Sequence, residues 1–278
     1  MKIDAWRSLF RYPKLIFMLV AFSAIGWCLP VAVHSKSSSF YGLGVIPNNV
    51  VEGATRCPKT KLVAVDLLAP DDGARTLSSR PTFYWYIEHK SLDAKASSPE
   101  TENKEFFGIS FILRSGFGRN AKSIFSFRSK GYRKDNSGLY RFTLPPNSPN
   151  LEVDKTYTWN IRYASSVSKD GDTPIDQIDA RAIVRRESNP AVMSEIEGAS
   201  TDLARARIFA NNRYWYDALD AYTKWIDANP NDKIALRERL SMLDEIVERS
   251  PKLKCIGKYN VNDSSLINSP QSIQQIMK

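Results

Sequence analysis

Arg80-Pro81-Thr82-Phe83-Tyr84-Trp85-Tyr86-Ile87-Glu88 is the run on which the reading of the chain turns. Four aromatics with a β-branched Thr and Ile, entered through a proline, form the pattern of a strand with apolar surface on both faces. Phe83, Trp85 and Ile87 fall on one face and suit a core. Thr82, Tyr84 and Tyr86 fall on the other, where a phenol hydroxyl suits a wet boundary or a sheet edge.

Outward from this strand, the neighbouring segments repeat the two-residue period. Leu62 to Leu67 is a short apolar run closed by the turn chemistry of Pro70-Asp71-Asp72-Gly73. Downstream, a polar loop leads into Glu105 to Arg114, where Phe107, Ile109, Phe111 and Leu113 alternate. Ile124 to Arg128 and Leu139 to Leu144 follow. Tyr157, Trp159, Ile161 and Tyr163 then alternate with Thr158, Asn160 and Arg162, and Ile178 to Val184 alternates last. Seven short strands without an intervening helical period predict an antiparallel β-sandwich of the immunoglobulin or fibronectin type over residues 57–187. Such a sandwich brings Trp85 and Trp159 together in its core.

After Arg186 the period changes to that of helices. Asn189-Pro190 opens a helical turn, Ser200 is placed to cap a second helix, and Asn211-Asn212 stops it. Trp215, Ala218, Leu219, Tyr222 and Ile226 mark a third helix, and Ile234 to Ile246 a fourth. Ala206, Phe209, Ala218, Tyr222 and Pro230 follow the order of a single tetratricopeptide-like unit, with Asp202 and Arg205 departing from it. One unit cannot bury its own face, so this helical region, 188–250, is expected to dock on the sandwich or on the fourth helix. Residues 251–278 read as a polar tail without fixed structure.

The amino terminus carries Lys2, Arg7, Arg11 and Lys14 ahead of nineteen uncharged residues, Leu15 to Val33. This is the layout of an export signal over residues 1–35, either cleaved or kept as a membrane anchor through 15–33. Both place the remainder outside the cytoplasm, in the periplasm or beyond. Residues 36–56 read as a tether. The net charge of +9 becomes +6 without the first 35 residues, 35 basic against 29 acidic groups, and it is spread along the chain rather than gathered in a stripe. Nucleic acid is therefore not an expected partner. In an oxidising compartment Cys57 and Cys255 either form one disulfide or remain two thiols, a choice that sequence leaves open.

A further set of segments carries a family likeness. Gly53-Ala54-Thr55-Arg56-Cys57-Pro58, Leu62 to Leu68, Arg80 to Ile87, Phe142-Thr143-Leu144-Pro145, Leu151-Glu152-Val153, Tyr157-Thr158-Trp159 and Trp215-Tyr216-Asp217-Ala218-Leu219 before Asn229-Pro230 resemble, in this order, domain-of-unknown-function family 928. The likeness covers residues 53–248. That resemblance implies an exported protein, found mainly in cyanobacteria, with a β-then-helix layout and no known activity. Members often carry a cysteine shortly after the strand of Trp159, where this chain has Tyr163 and Ala164, so the resemblance supplies no partner for Cys57.

Little in the chain speaks for catalysis. There are two histidines, His34 in the signal segment and His89 at the end of the aromatic strand. No nucleophile elbow, phosphate loop or Cys/His cluster is present, and no cofactor or metal is expected; Asp170-Gly171-Asp172 reads as a hairpin turn rather than a calcium loop. Glu88, Glu105 and Glu152 near strand ends are available for a glycan hydrolase, the least favoured reading, and nothing singles out two of them. The sequence favours an exported cell-envelope interaction or structural module, with Trp215 and Tyr216 as partner contacts. The alternative is a polysaccharide- or peptidoglycan-binding domain in which Tyr84, Tyr86 and Tyr140 form an aromatic platform; packing is the competing role for these tyrosines. An envelope protein or a glycan is thus the expected partner.

Overall fold

The computed structural model describes residues 40–44, 63–89, 107–118, 120–131, 138–167, 174–249 and 271–272. They belong to one compact unit, Ser37–Lys278. In chain order the elements are β1 (Val63–Leu67), β2 (Ala74–Thr76), β3 (Thr82–His89), β4 (Phe107–Ser115), β5 (Lys122–Gly131), β6 (Gly138–Thr143), β7 (Thr156–Val167) and β8 (Pro174–Arg186). The helices α1 (Pro190–Glu197), α2 (Asp202–Asn211), α3 (Trp215–Ala228) and α4 (Lys233–Arg249) follow, then the two-residue β9 (Gln271–Ser272). All seven segments that alternate in the sequence are strands.

They form two sheets, ordered β1-β3-β6-β9 and β2-β8-β7-β4-β5. Aromatic rings from the facing sides fill the space between them. Phe83 on β3 lies 4.8 Å from Trp159 on β7 and 5.1 Å from Phe111 on β4, and Phe111 lies 4.6 Å from Phe142 on β6. Trp85 and Trp159 are both fully buried. Trp85 stacks on Tyr140 instead of on Trp159, because the antiparallel register sets Tyr140 directly opposite it.

Two pairings depart from an all-antiparallel arrangement. β2 runs parallel to β8, and β9 runs parallel to β6 at Tyr140 and Arg141. β2 has three residues, too few to show a period. β9 lies in the segment read as an unstructured tail. The segment read as a tether also contributes at residues 40–44: Gly42 bridges to Ala74, the Leu43 amide donates to the Gly73 carbonyl at 3.1 Å, and Tyr41 is buried with its ring 5.0 Å from Trp215.

The helices start where side chains satisfy their free amides. The Asn189 side chain accepts from the Val192 amide with Pro190 at the first helical position, and Thr201, rather than Ser200, caps α2 by accepting from the Ala204 amide. Arg213, in the left-handed region at φ 65°, turns the chain from α2 into α3. Eight of the fourteen residues of α3 are buried, since it packs on β2, β3, α2 and α4 at once.

Candidate functional site

The first turn of α3 is where helices and sheets meet. Trp215 sends its indole N–H to the Leu68 carbonyl at 2.9 Å. The Tyr216 hydroxyl accepts from the Trp159 indole at 2.8 Å and donates to the Ile183 carbonyl at 3.1 Å. Asp217 accepts from the Leu77 amide at 3.0 Å and the Thr76 hydroxyl at 3.1 Å. Three consecutive residues thus fasten the helix to both sheets, and Ala218 leaves room for the close approach with no exposed surface of its own. Trp215 and Tyr216 are therefore not open partner contacts: they are buried at 0% and 1% exposure, and their polar atoms are already engaged. Burial also pushes the Tyr216 hydroxyl well above its ordinary range.

The expected aromatic platform is likewise absent. Register settles the matter: Tyr140 lies opposite Trp85 and shares its face, whereas Tyr84 lies opposite Arg141 on the other face. A single flat surface cannot contain Tyr84, Tyr86 and Tyr140. All three are also buried. Tyr84 donates to Asp220 of α3 at 2.8 Å, and desolvation together with that carboxylate holds its pKa well above 10. Burial pushes the Tyr140 hydroxyl up to about 12. These tyrosines pack, because α3 covers the back of β3 and Tyr140 turns into the space between the sheets.

What is open lies beside α3. A cleft of about 380 Å³ runs between the Leu77–Thr82 segment and helices α1, α2 and α3. Pro81, Met193, Ile196 and Phe209 supply apolar wall, and Met193 is 42% exposed. Arg80 lies on one side, where its Nη2 donates to the Pro146 carbonyl at 2.9 Å while its buried Nε meets no acceptor among the described residues. On the other side two ion pairs line the rim, Arg205 with Asp202 at 3.1 Å and Lys224 with Asp220 at 2.7 Å. Asp217 forms part of the floor. Desolvation raises its pKa to about 6 against the opposing pull of its hydrogen bonds from Leu77, Thr76 and Ser78.

Both oxygens of Asp217 and both of Asp220 are engaged by protein donors. Chemically, the cleft offers an apolar slot bordered by charges. The sequence pattern did not single out Arg80, Asp217 or Asp220. Asp217 does stand inside the Trp215-to-Leu219 segment that carries the family likeness, which was the available signal.

Of the other candidates, Glu152 is exposed and pairs with Lys155 at 2.6 Å. Cys57, Cys255, Glu105, His34, Asp170 to Asp172 and residues 15–33 lie outside the described residues, as do the side chains of Glu88 and His89. Among the described residues no group of three or more His, Cys, Asp or Glu is placed to hold a metal. No helix among them is long and apolar enough to cross a membrane.

Two packed sheets buttressed by four carboxyl-terminal helices, with an amphipathic cleft at the seam, define a β-rich protein with a helical flank. The chain belongs to the family described as Domain of Unknown Function (DUF928), whose model matches residues 51–250. No match was found among curated proteins.

Proposed function

We propose that this chain is an exported interaction or structural module of the cell envelope, acting by binding rather than by turnover, with the cleft beside α3 as its contact site. The observation that carries this reading is the exposed Met193 in an apolar slot bordered on the helical side by two ion pairs. A slot of this kind accepts an apolar side chain of a protein partner with a polar rim around it. The engagement of both Asp217 oxygens by strand-side donors supports a structural rather than a catalytic carboxylate. Export rests on the basic amino terminus and the uncharged run after it.

Finer architecture follows the same reading. The order β1-β3-β6 facing β5-β4-β7-β8, with β2 parallel to the outer edge of β8, supports an immunoglobulin-type sandwich in which a split first strand serves both sheets. The buried Ala206, Ala218 and Tyr222, where α2 meets α3, support a tetratricopeptide-like hairpin.

Crosslinking capture of the tagged full chain from intact cells tests the function. The expected result is one envelope protein recovered with the wild type and lost with Met193→Glu, whose exposed position leaves folding intact. Equal recovery by both forms, or recovery of cytoplasmic proteins alone, would overturn the cleft as the contact site.

A further inference from the structure

The outward face of the five-stranded sheet is the second open surface, and none of its residues lines the cleft. Tyr157, Trp159, Ile161 and Tyr163 of β7 point into the core, so Thr158, Asn160 and Arg162 point away from it. Register extends that face across four strands. Arg128, Ser110, Arg162 and Asp179 form one row; Ser126, Ile112, Asn160 and Arg181 form the next; Arg114 and Thr158 continue into a third. Four guanidinium groups therefore share a surface with one carboxylate.

That carboxylate is already committed. Asp179 takes Arg162 in a two-pronged contact at 2.8 and 3.2 Å. Arg114 donates to the Asn160 side chain at 2.5 Å, which keeps Asn160 buried beneath the arginines. Among the described residues Arg114, Arg128 and Arg181 form no ion pair, so on this face only Arg162 has an acidic partner. Burial and the charges of Arg181 and Arg162 lower the Arg114 pKa from its ordinary value. The like charges sit close enough to repel, and a bound anion would relieve that repulsion.

We propose that this face binds an acidic polysaccharide, its carboxylate groups held by Arg114, Arg128, Arg162 and Arg181. Guanidinium forks match carboxylates in two-pronged geometry, which Arg128 and Arg181 have open, while Arg162, forked onto Asp179, keeps only its remaining N–H donors for the ligand. With strands about 4.8 Å apart and alternate residues about 6.7 Å apart, the backbone positions of these arginines are separated by roughly 8–16 Å. One small anion cannot serve them all, so the complementary ligand repeats its acid groups along a chain. The surroundings select among polyanions. Ser110 and Ser126 offer hydroxyls, and the rows themselves carry no aromatic ring, so Phe117 at their end is one stacking surface rather than the succession of rings that single-stranded nucleic acid uses. Ile112, partly buried, is too small an apolar area for a protein core contact or for insertion into a bilayer.

At one end of the face the loop after β4 adds a single ring. Gly116 and Gly118, at φ 83° and 79°, hold Phe117 53% exposed between them, and the Thr158 hydroxyl anchors the loop through the Gly116 carbonyl at 2.8 Å. A sugar ring can lie on that exposed aromatic face while neighbouring acid groups reach the arginines.

The test is affinity of the full chain for polygalacturonate, with dextran, a single-stranded DNA oligonucleotide and phosphatidylserine vesicles as comparisons. Polygalacturonate binding is expected to weaken as salt rises and to fall more than tenfold in Arg162→Ala/Arg181→Ala, with dextran unbound. The exposed substitution Arg128→Glu is expected to reduce it several-fold with an unchanged unfolding curve. Absence of polygalacturonate binding at low salt, or equal binding by wild type and both variants, would overturn the proposal. Tighter arginine-dependent binding to the oligonucleotide or the vesicles would overturn it in favour of that partner. The cleft variant Met193→Glu should leave polygalacturonate binding unchanged, which separates this surface from the protein contact proposed above.

Discussion

The back of β3 and the back of β7 share the same two-residue alternation and meet different surroundings. Behind β3 lies α3, and the residues there are Thr82, Tyr84 and Tyr86, buried with hydroxyls reaching across to Thr143 and Asp220. Behind β7 the residues are Thr158, Asn160 and Arg162, the first two buried at 3% and 1% exposure beneath the arginines that surround them. A phenol can be enclosed if its single hydroxyl finds an acceptor, whereas a guanidinium with five donors is far harder to satisfy indoors. The identity of the outward residue therefore follows from what covers the sheet. Aromatic residues on both sides of a strand mark it as lying between two layers.

The strongest challenge to this contrast is Trp159→Ala. Its ring is fully buried against Phe83 and Phe111 and its indole is bonded to Tyr216, so the substitution should cost about 3–5 kcal/mol in urea unfolding. A cost below about 1 kcal/mol would contradict a tightly packed space between the sheets.

Asp217→Asn comes next and has a direction in pH. Burial raises the folded carboxyl from 3.8 to about 6, so folding favours the protonated form. The stability of wild type relative to the variant should be greatest below about pH 4 and fall by about 2–3 kcal/mol as pH rises through 6. Unfolding curves of both proteins at pH 4, 5, 6 and 7.5 measure this, and a constant difference would mean that folding leaves the pKa of the carboxyl unchanged.

Tyr216→Phe removes only a hydroxyl, yet it strands the Trp159 indole and the Ile183 carbonyl, for an expected loss of about 1–3 kcal/mol. The smallest effect belongs to the open face. Arg181→Ala should stay within about 0.5 kcal/mol of wild type, because its side chain is exposed and makes no ion pair among the described residues. A larger loss would mean that this face is covered.

Much of the fold could be read from residue order. The alternating strands and the stop at Asn211-Asn212 are local signals, and they fell where the pattern put them. β2 was beyond such reading because three residues pair in parallel with a strand over a hundred positions away. The docking of Tyr41 on Trp215 was invisible for the same reason. For the site, sequence marked the Trp215-Tyr216 pair and the tyrosines of β3 as special, but aromatic character is shared by anchors for partners and anchors for a protein's own helix. Only the position of α3 distinguishes these roles. The arginine face was spread over β4, β5, β7 and β8 at positions 114, 128, 162 and 181, and no run of basic residues announces it.

The hydrogen bonds made by the first three residues of α3 bear on the order in which the chain is made. Leu68, the Thr76–Ser78 segment, Trp159 and Ile183 emerge from a ribosome before Trp215, Tyr216 and Asp217, so every strand except β9 is made while these partners are still unsynthesised. Until then the Trp159 indole, the Leu77 amide, the Thr76 hydroxyl and the Leu68 and Ile183 carbonyls await the groups that will close them, and the back of β3 is uncovered. A nascent chain halted before residue 215 is therefore expected to be held by chaperones and cut readily by proteases, and release of some forty more residues should end both.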